Sequence, residues 1–213
     1  MTEALKSDGG VSAAAHLPAG VPLATAISAI SSGGTTALRV EGPAPSVAER
    51  CRSLSTLLSE FGKSDELSGA DCDVFWRNIR DVMPFLPGDG KGGENLLWRL
   101  SLPPSQAPGL VADVREKFPS RVFYDWGGGL VWLAPDSPPL EGDGGAAVIR
   151  RSLEARGEAM GGQALLFRGS PALRAGTQVF QPQPISLKAL TARVKESFDP
   201  LHIFNPGRMY EGV

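Results

Sequence analysis

Two arginines stand where a β-strand can aim them: Arg99 inside the run NLLWRLSL at 95–102, and Arg168 at the end of GQALLFR at 162–168. A guanidinium is a planar fork that pairs bidentately with a carboxylate, so an arginine on a sheet face is a candidate anion-binding group. Arg99 alternates with Trp98 and Leu100 and therefore faces away from both. Three readings stay open for it: an exposed sheet-face arginine, one paired with a local acid such as Asp125, or a cation held for a ligand's carboxylate. Asp125 and Trp126 precede Gly127-Gly128-Gly129. There the Asp can accept turn N–H groups and the Trp can pack on the sheet, or the glycines can let a ligand approach the backbone. Gln163, at the start of the second run, can hydrogen-bond a ligand but cannot take its proton.

Other chemistries find little support. The two histidines, His16 and His202, are isolated, and the two cysteines, Cys51 and Cys72, form no CxxC pair. That leaves too few soft ligands for a zinc site and suggests free thiols in a reducing, cytoplasmic setting. No Ser-containing elbow or Walker loop occurs. Gly88-Asp89-Gly90-Lys91-Gly92-Gly93 matches GxGxxG, but prolines precede it and a strand-like run follows it. A dinucleotide fingerprint needs a strand before and a helix after, so a loop is the better account.

The elements that must position these residues are those of one large domain or two small ones in 213 residues. The formal net charge of -2 argues against a nucleic-acid partner, since phosphate binders carry a basic face. No apolar stretch approaches the roughly 20 residues of a membrane helix, and the start MTEALKSDGG is not a signal peptide. Glycine (26) and proline (18) make up roughly a fifth of the chain, which forecasts many loops but not disorder.

Periodicity places a helix end at 1–6, strands at 11–17 and 36–41, and a helix from a capping box at Ser46–Glu49 with Val47, Cys51, Leu54, Leu58 and Phe61 on its inner face. A second helix follows with Phe75, Ile79 and Val82 inward, stopped by Pro84. Then come strand 95–102, a helix at 106–118 capped by Ser105, a hairpin of 121–126 and 130–134, a helix at 144–157 and strand 162–168. The order β-α-β-β-α-β predicts an α+β fold: a ferredoxin-like antiparallel sheet with helices mainly on one face. The first 61 residues read as α-β-β-α, the same unit lacking its first strand. That reading predicts an exposed sheet edge able to pair with a second copy as a homodimer. A Pro-rich connection at 169–185 leads to a helix capped by Ser186, with Leu187, Leu190 and Val194 on one side. We therefore expect residues 1–185 to form the main domain and 186–213 a helix with a tail.

That tail reads Phe198-Asp199-Pro200-Leu201-His202-Ile203-Phe204-Asn205-Pro206-Gly207-Arg208-Met209-Tyr210. Pro206 and Gly207 suit a type II turn. The whole run resembles the C-terminal signature of FAD-linked oxidases of the vanillyl-alcohol-oxidase type, and its ending is most like the flavin subunits of the glycolate oxidase kind. Three further segments resemble the same group in the same order: Leu97–Leu102, Asp125–Leu133 and Gly161–Phe167.

The resemblance implies the C-terminal, cap half of such a subunit, with FAD bound mainly by a domain that has no counterpart here. It implies a small 2-hydroxy acid as substrate, and partners in a second flavin subunit and an iron–sulfur subunit. It implies a cytoplasmic protein, peripheral to the inner membrane through its complex. Arg99, Asp125, Trp126, Gln163 and Arg168 become candidate substrate-binding residues, and Asn205 and Arg208 candidate cofactor contacts. Relatives commonly carry histidine where Gln163 stands, so the catalytic base is unassigned. The alternative is a non-catalytic ligand-binding or assembly module.

Overall fold

The computed structural model describes residues 1–21, 33–86, 96–137, 142–156, 162–210 and 212–213. The GxGxxG match at 88–93 lies outside them, as does Gly161 of the family-like segment. In chain order the elements are α1 (Thr2–Lys6), β1 (Val11–Leu17), β2 (Thr35–Val40), α2 (Ala44–Leu57), α3 (Gly69–Arg80), β3 (Leu97–Ser101), α4 (Ala107–Lys117), β4 (Ser120–Asp125), β5 (Leu130–Pro135), α5 (Ala146–Glu154), β6 (Gln163–Arg168), α6 (Pro171–Gly176) and α7 (Ile185–Phe198). The strands form one sheet in the order β2-β1-β4-β5-β3-β6, antiparallel throughout. Within it β4-β5-β3-β6 is the order that a β-α-β-β-α-β unit produces, and β1-β2 extend it past β4. The α+β class expected from the periodicity is what the chain adopts.

Strict alternation along the strands builds two cores. Trp98 and Leu100 of β3, Val122 of β4, Val131 and Leu133 of β5, and Ala164 and Leu166 of β6 pack under α4 and α5 against Leu110, Val114 and Ile149. Leu97, Phe123, Leu130 and Trp132 point the other way, beneath Phe75 and Ile79 of α3 and Phe85 of the turn that follows it. The paired helices α4 and α5 therefore share one face, as the unit requires, while α3 covers part of the other.

The helix starts depart from expectation in a consistent way. Ser46 caps nothing: α2 begins two residues earlier, with Pro43 at the N-cap, and Glu49 pairs with Arg52 instead. Ser105 lies inside a short 3-10 turn, Pro104–Gln106, ahead of α4. Ser186 is already helical, behind Pro184 at the N-cap. Proline lacks an N–H that the first turn would leave unbonded anyway, and its fixed φ suits helix entry, so it displaces the serine. The inner face read for α2 is also thin: Leu54 is buried, while Phe61 is 69% exposed. Likewise α7 buries no side chain, and Leu187, Leu190 and Val194 face solvent. Within the connection, α6 forms unforeseen, with Ser170 accepting the Leu173 N–H.

Candidate functional site

The site is read from the strand registers. On the α3 side of the sheet, Asp125 pairs with Leu130, Leu130 with Ser101, and Ser101 with Gln163, which makes one row across four strands. The next row runs Phe123, Trp132, Arg99 and Leu165. Facing residues in a ladder share a side, so Arg99, Ser101, Gln163 and Leu165 lie on one surface patch over β3 and β6. Helix α3 covers the neighbouring strands and leaves this patch accessible: Gln163 is exposed, and Arg99, Ser101 and Leu165 are half-buried. Arg99 and Gln163 are diagonal neighbours, with Cβ atoms about 7–8 Å apart for such a pair.

Trp126 closes one side. The Arg99 guanidinium carbon lies 5.2 Å from the centre of its ring, a cation–π contact. The indole is 63% exposed, a large apolar surface left to solvent at the patch rim. Phe167 forms the opposite rim, edge-on to Trp132 at 5.0 Å between centroids. Among the described residues no carboxylate lies within ion-pair distance of Arg99. Asp125 in particular does not take the arginine. Its Oδ1 instead accepts the Trp126 N–H at 2.8 Å. Burial pushes the Asp125 carboxyl above its ordinary value, and that N–H bond offsets part of the rise.

The remaining candidates are not brought here. Arg168 sits beside a β-bulge between β3 and β6, where Leu97 pairs with Arg168 and Trp98 with Leu166. Its Nη1 donates to the Phe85 carbonyl at 2.7 Å, tying the strand end to the turn after α3. That is a structural tether. Asn205 and Arg208 belong to the tail, where the Arg208 N–H bonds the Asn205 carbonyl at 3.2 Å and Gly207 has φ +69. These are the marks of the expected type II turn, and both residues are exposed. His202 meets Glu196 at 3.1 Å, and His16 meets Thr36 at 2.8 Å. Leu165 and Phe167 were missed by sequence reading. Their alternation in register with Gln163 was the available signal, masked in part by the bulge.

The glycines at 127–129 do not admit a ligand. A Cβ on Gly127 would meet Leu5 Cδ1 of α1 at 2.5 Å, and one on Gly128 would lie against Pro104 and Met1. These glycines make room for the chain itself. Gly127 also has φ +66, so Gly127→Ala should cost about 1–2 kcal/mol from the left-handed backbone alone. A lowered urea midpoint with an unchanged slope checks it.

No family model matches the chain. One curated protein does.

The chain is similar to the glycolate oxidase subunit GlcE of Escherichia coli (strain K12).

Identity is 34% over 139 residues, which is 64% of this chain. The match spans 31% of that protein's own length. It agrees with the oxidase-type resemblance carried by the four segments, three of which lie on β3, on β4–β5 and on β6.

The oxidase-type resemblance implies FAD. A pyrophosphate needs free helix-terminal N–H groups and a glycine approach. Here α2, α4, α6 and α7 begin at or next to prolines, the Asp143 carboxylate takes N–H groups at the start of α5, the open starts of α1 and α3 carry Glu3 and Asp71 in their first turns, and the glycine turn at 127–129 is filled by Leu5, Pro104 and Met1. The described residues do not fit the dinucleotide. No described helix is long and apolar enough to cross a membrane, and no cluster of metal-binding side chains occurs among the described residues.

Proposed function

We propose that the chain is the substrate-facing cap of an FAD-dependent 2-hydroxy-acid oxidoreductase of the glycolate oxidase type, with FAD held chiefly by a domain outside this sequence. The observation that carries the reading is Arg99: a half-buried cation with no carboxylate partner among the described residues, set against Trp126 and diagonal to Gln163. Its guanidinium takes the substrate carboxylate, the Gln163 amide bonds the hydroxyl, and Trp126 and Phe167 shield the pair from water. In this reading residues 1–185 form the cap, and the tail from 186 turns towards the flavin-bearing part, with Asn205 and Arg208 as its polar contacts. The exposed Ile185, Phe198, Leu201 and Ile203 supply the apolar surface for that docking. A second flavin subunit and an iron–sulfur subunit, in the cytoplasm, complete the assembly on this reading.

Gln163 favours one second reading, a face that binds hydroxy acids without oxidising them, since an amide carries no titratable proton. Titrating the labelled chain with glycolate while following the Trp126 indole and Gln163 amide signals tests the site. Both should move together, and Arg99→Met should weaken binding about 10–100-fold, the loss of a charge-assisted bond. Signals that stay still up to high glycolate would overturn the site. A stoichiometric, tightly held flavin on the purified chain would overturn the separated cofactor. A reconstituted complex that oxidises glycolate equally well with and without Gln163 would remove that residue from the reading.

A further inference from the structure

Alternation along β4 fixes where the next residue would point. Val122 and Tyr124 pack on the α4–α5 side of the sheet, and Phe123 on the α3 side. Asp125 pairs with Leu130 of the α3-side core and shares its face. An extended residue 126 would therefore turn to the α4–α5 side, away from Arg99. Instead the Arg99 guanidinium carbon lies over the Trp126 ring, at 5.2 Å, although β5 stands between the two strands. The backbone accounts for the difference. Trp126 has φ +51, in the left-handed region, followed by Gly127 at +66 and Gly128 at +99.

The two glycines adopt that conformation freely, whereas the Trp126 Cβ crowds the following carbonyl. A bulky residue stays there only where its surroundings hold it. The β4–β5 ladder ends at Asp125 and Leu130, so the Trp126 N–H has no strand partner, and Asp125 Oδ1 accepts it at 2.8 Å. The Trp126 carbonyl accepts the Gly129 N–H at 3.2 Å, and the Gly129 carbonyl accepts the Leu102 N–H at 3.1 Å. Leu5 of α1 occupies the space that a Cβ on Gly127 would need. Among the described residues the Asp125 carboxylate is the side chain that hydrogen-bonds the Trp126 backbone.

We propose that Asp125 is a positioning residue: by holding the Trp126 N–H it keeps the indole over Arg99 and so fixes the plane in which the guanidinium meets a carboxylate. Stacking on a ring face leaves the N–H edge of the guanidinium free, and that edge pairs bidentately with a carboxylate. A second carboxylate would repel an anionic ligand, so Asp125 acts through Trp126 and not by touching the ligand. The benefit to a ligand rests on the carboxylate site proposed above; the hold on Trp126 does not.

The Arg99 side-chain signals report the pose, because an indole face shields the protons above it. Their shifts are read without ligand in the wild-type chain, in Trp126→Leu as the unshielded reference, and in Asp125→Ala and Asp125→Asn. We expect Asp125→Ala to move them most of the way to the Trp126→Leu values and to speed exchange of the Trp126 N–H, while the β3 and β5 amides stay protected. Asp125→Asn, whose amide oxygen accepts the same N–H, should stay near the wild type. Glycolate affinity should fall about fivefold in Asp125→Ala, the equivalent of one hydrogen bond, and be kept in Asp125→Asn. Arg99 signals that remain shielded in Asp125→Ala overturn the proposal, as does an Asp125→Asn chain displaced as far as Asp125→Ala. Arg99 signals that move as expected in a chain that glycolate never perturbs support the hold on Trp126 and overturn the carboxylate site instead.

Discussion

Trp98→Ala should cost about 3–5 kcal/mol and leave little of the native stability. The ring is fully buried on β3, between α4 and α5, in the larger of the two cores. Its Nε1 donates to the Gly144 carbonyl at 2.8 Å, across 46 residues of sequence. Gly144 lies in the left-handed region at φ +67, directly before α5. The indole therefore does two things at once: it fills the core and it pins the turn that launches α5. Arg150 lies over the same ring at 5.9 Å and holds the strap along β6. Trp98→Phe separates these roles. It keeps most of the volume and the cation–π face and loses the hydrogen bond, so a cost of about 1–3 kcal/mol is expected from the stranded carbonyl. Urea denaturation of both variants checks the ordering, and equal losses for Ala and Phe would place the whole effect in the bond.

What the sequence made legible follows from periodicity. The unit from β3 to β6 has strong alternation in its strands and apolar stripes in its helices, and its order, helix faces and connections came out as read. Helix entry was less legible, because serine three residues before a glutamate looks like a cap whether or not a proline nearby starts the helix first, as Pro43 does. The stripe Leu187, Leu190, Val194 has the spacing of a buried face yet is exposed. Spacing records that a side is apolar, but it does not record whether anything within the chain covers it.

The candidate site divides along the same line. That Arg99 faces away from Trp98 was readable from alternation. That Gln163 becomes its diagonal neighbour depends on β6 pairing with β3, a contact between strands some sixty residues apart that no local pattern contains. The fate of Arg168 turned on a bulge, one extra residue that re-aims the strand end, and the fate of the 127–129 glycines turned on α1 packing back against them. In both places a candidate for ligand chemistry makes a contact within the fold that no local pattern shows.

The tail should be held by a single carboxylate, and Asp199→Ala should release it. Asp199 is 5% exposed and is the hub of the segment after α7. Its Oδ1 accepts the Ile203 N–H and its Oδ2 the Phe204 N–H, each at 3.0 Å, and Oδ2 also receives the Lys195 ammonium. Lys195 donates in turn to the Phe204 carbonyl at 2.7 Å. Burial alone would raise the carboxyl's pKa. The bonds from Lys195, Phe204 and Ile203 outweigh it and hold the value at about 2. That lies below the ordinary carboxylate value of about 3.9, so the folded tail favours the ionised form. Its contribution is then complete above about pH 4 and is lost as the pH falls towards 2. Protonation leaves the Lys195 charge without its partner and removes an acceptor from two backbone donors. Amide exchange at Ile203 and Phe204 should accelerate across that window while the β3 and β5 amides stay protected. Asp199→Ala should produce the same local release at neutral pH, and Asp199→Asn, which keeps one carbonyl acceptor and loses the charge, an intermediate one. If Ile203 and Phe204 remain protected in Asp199→Ala, the turn is held by Pro200 and the packing of Phe180 on Tyr210 rather than by the carboxylate.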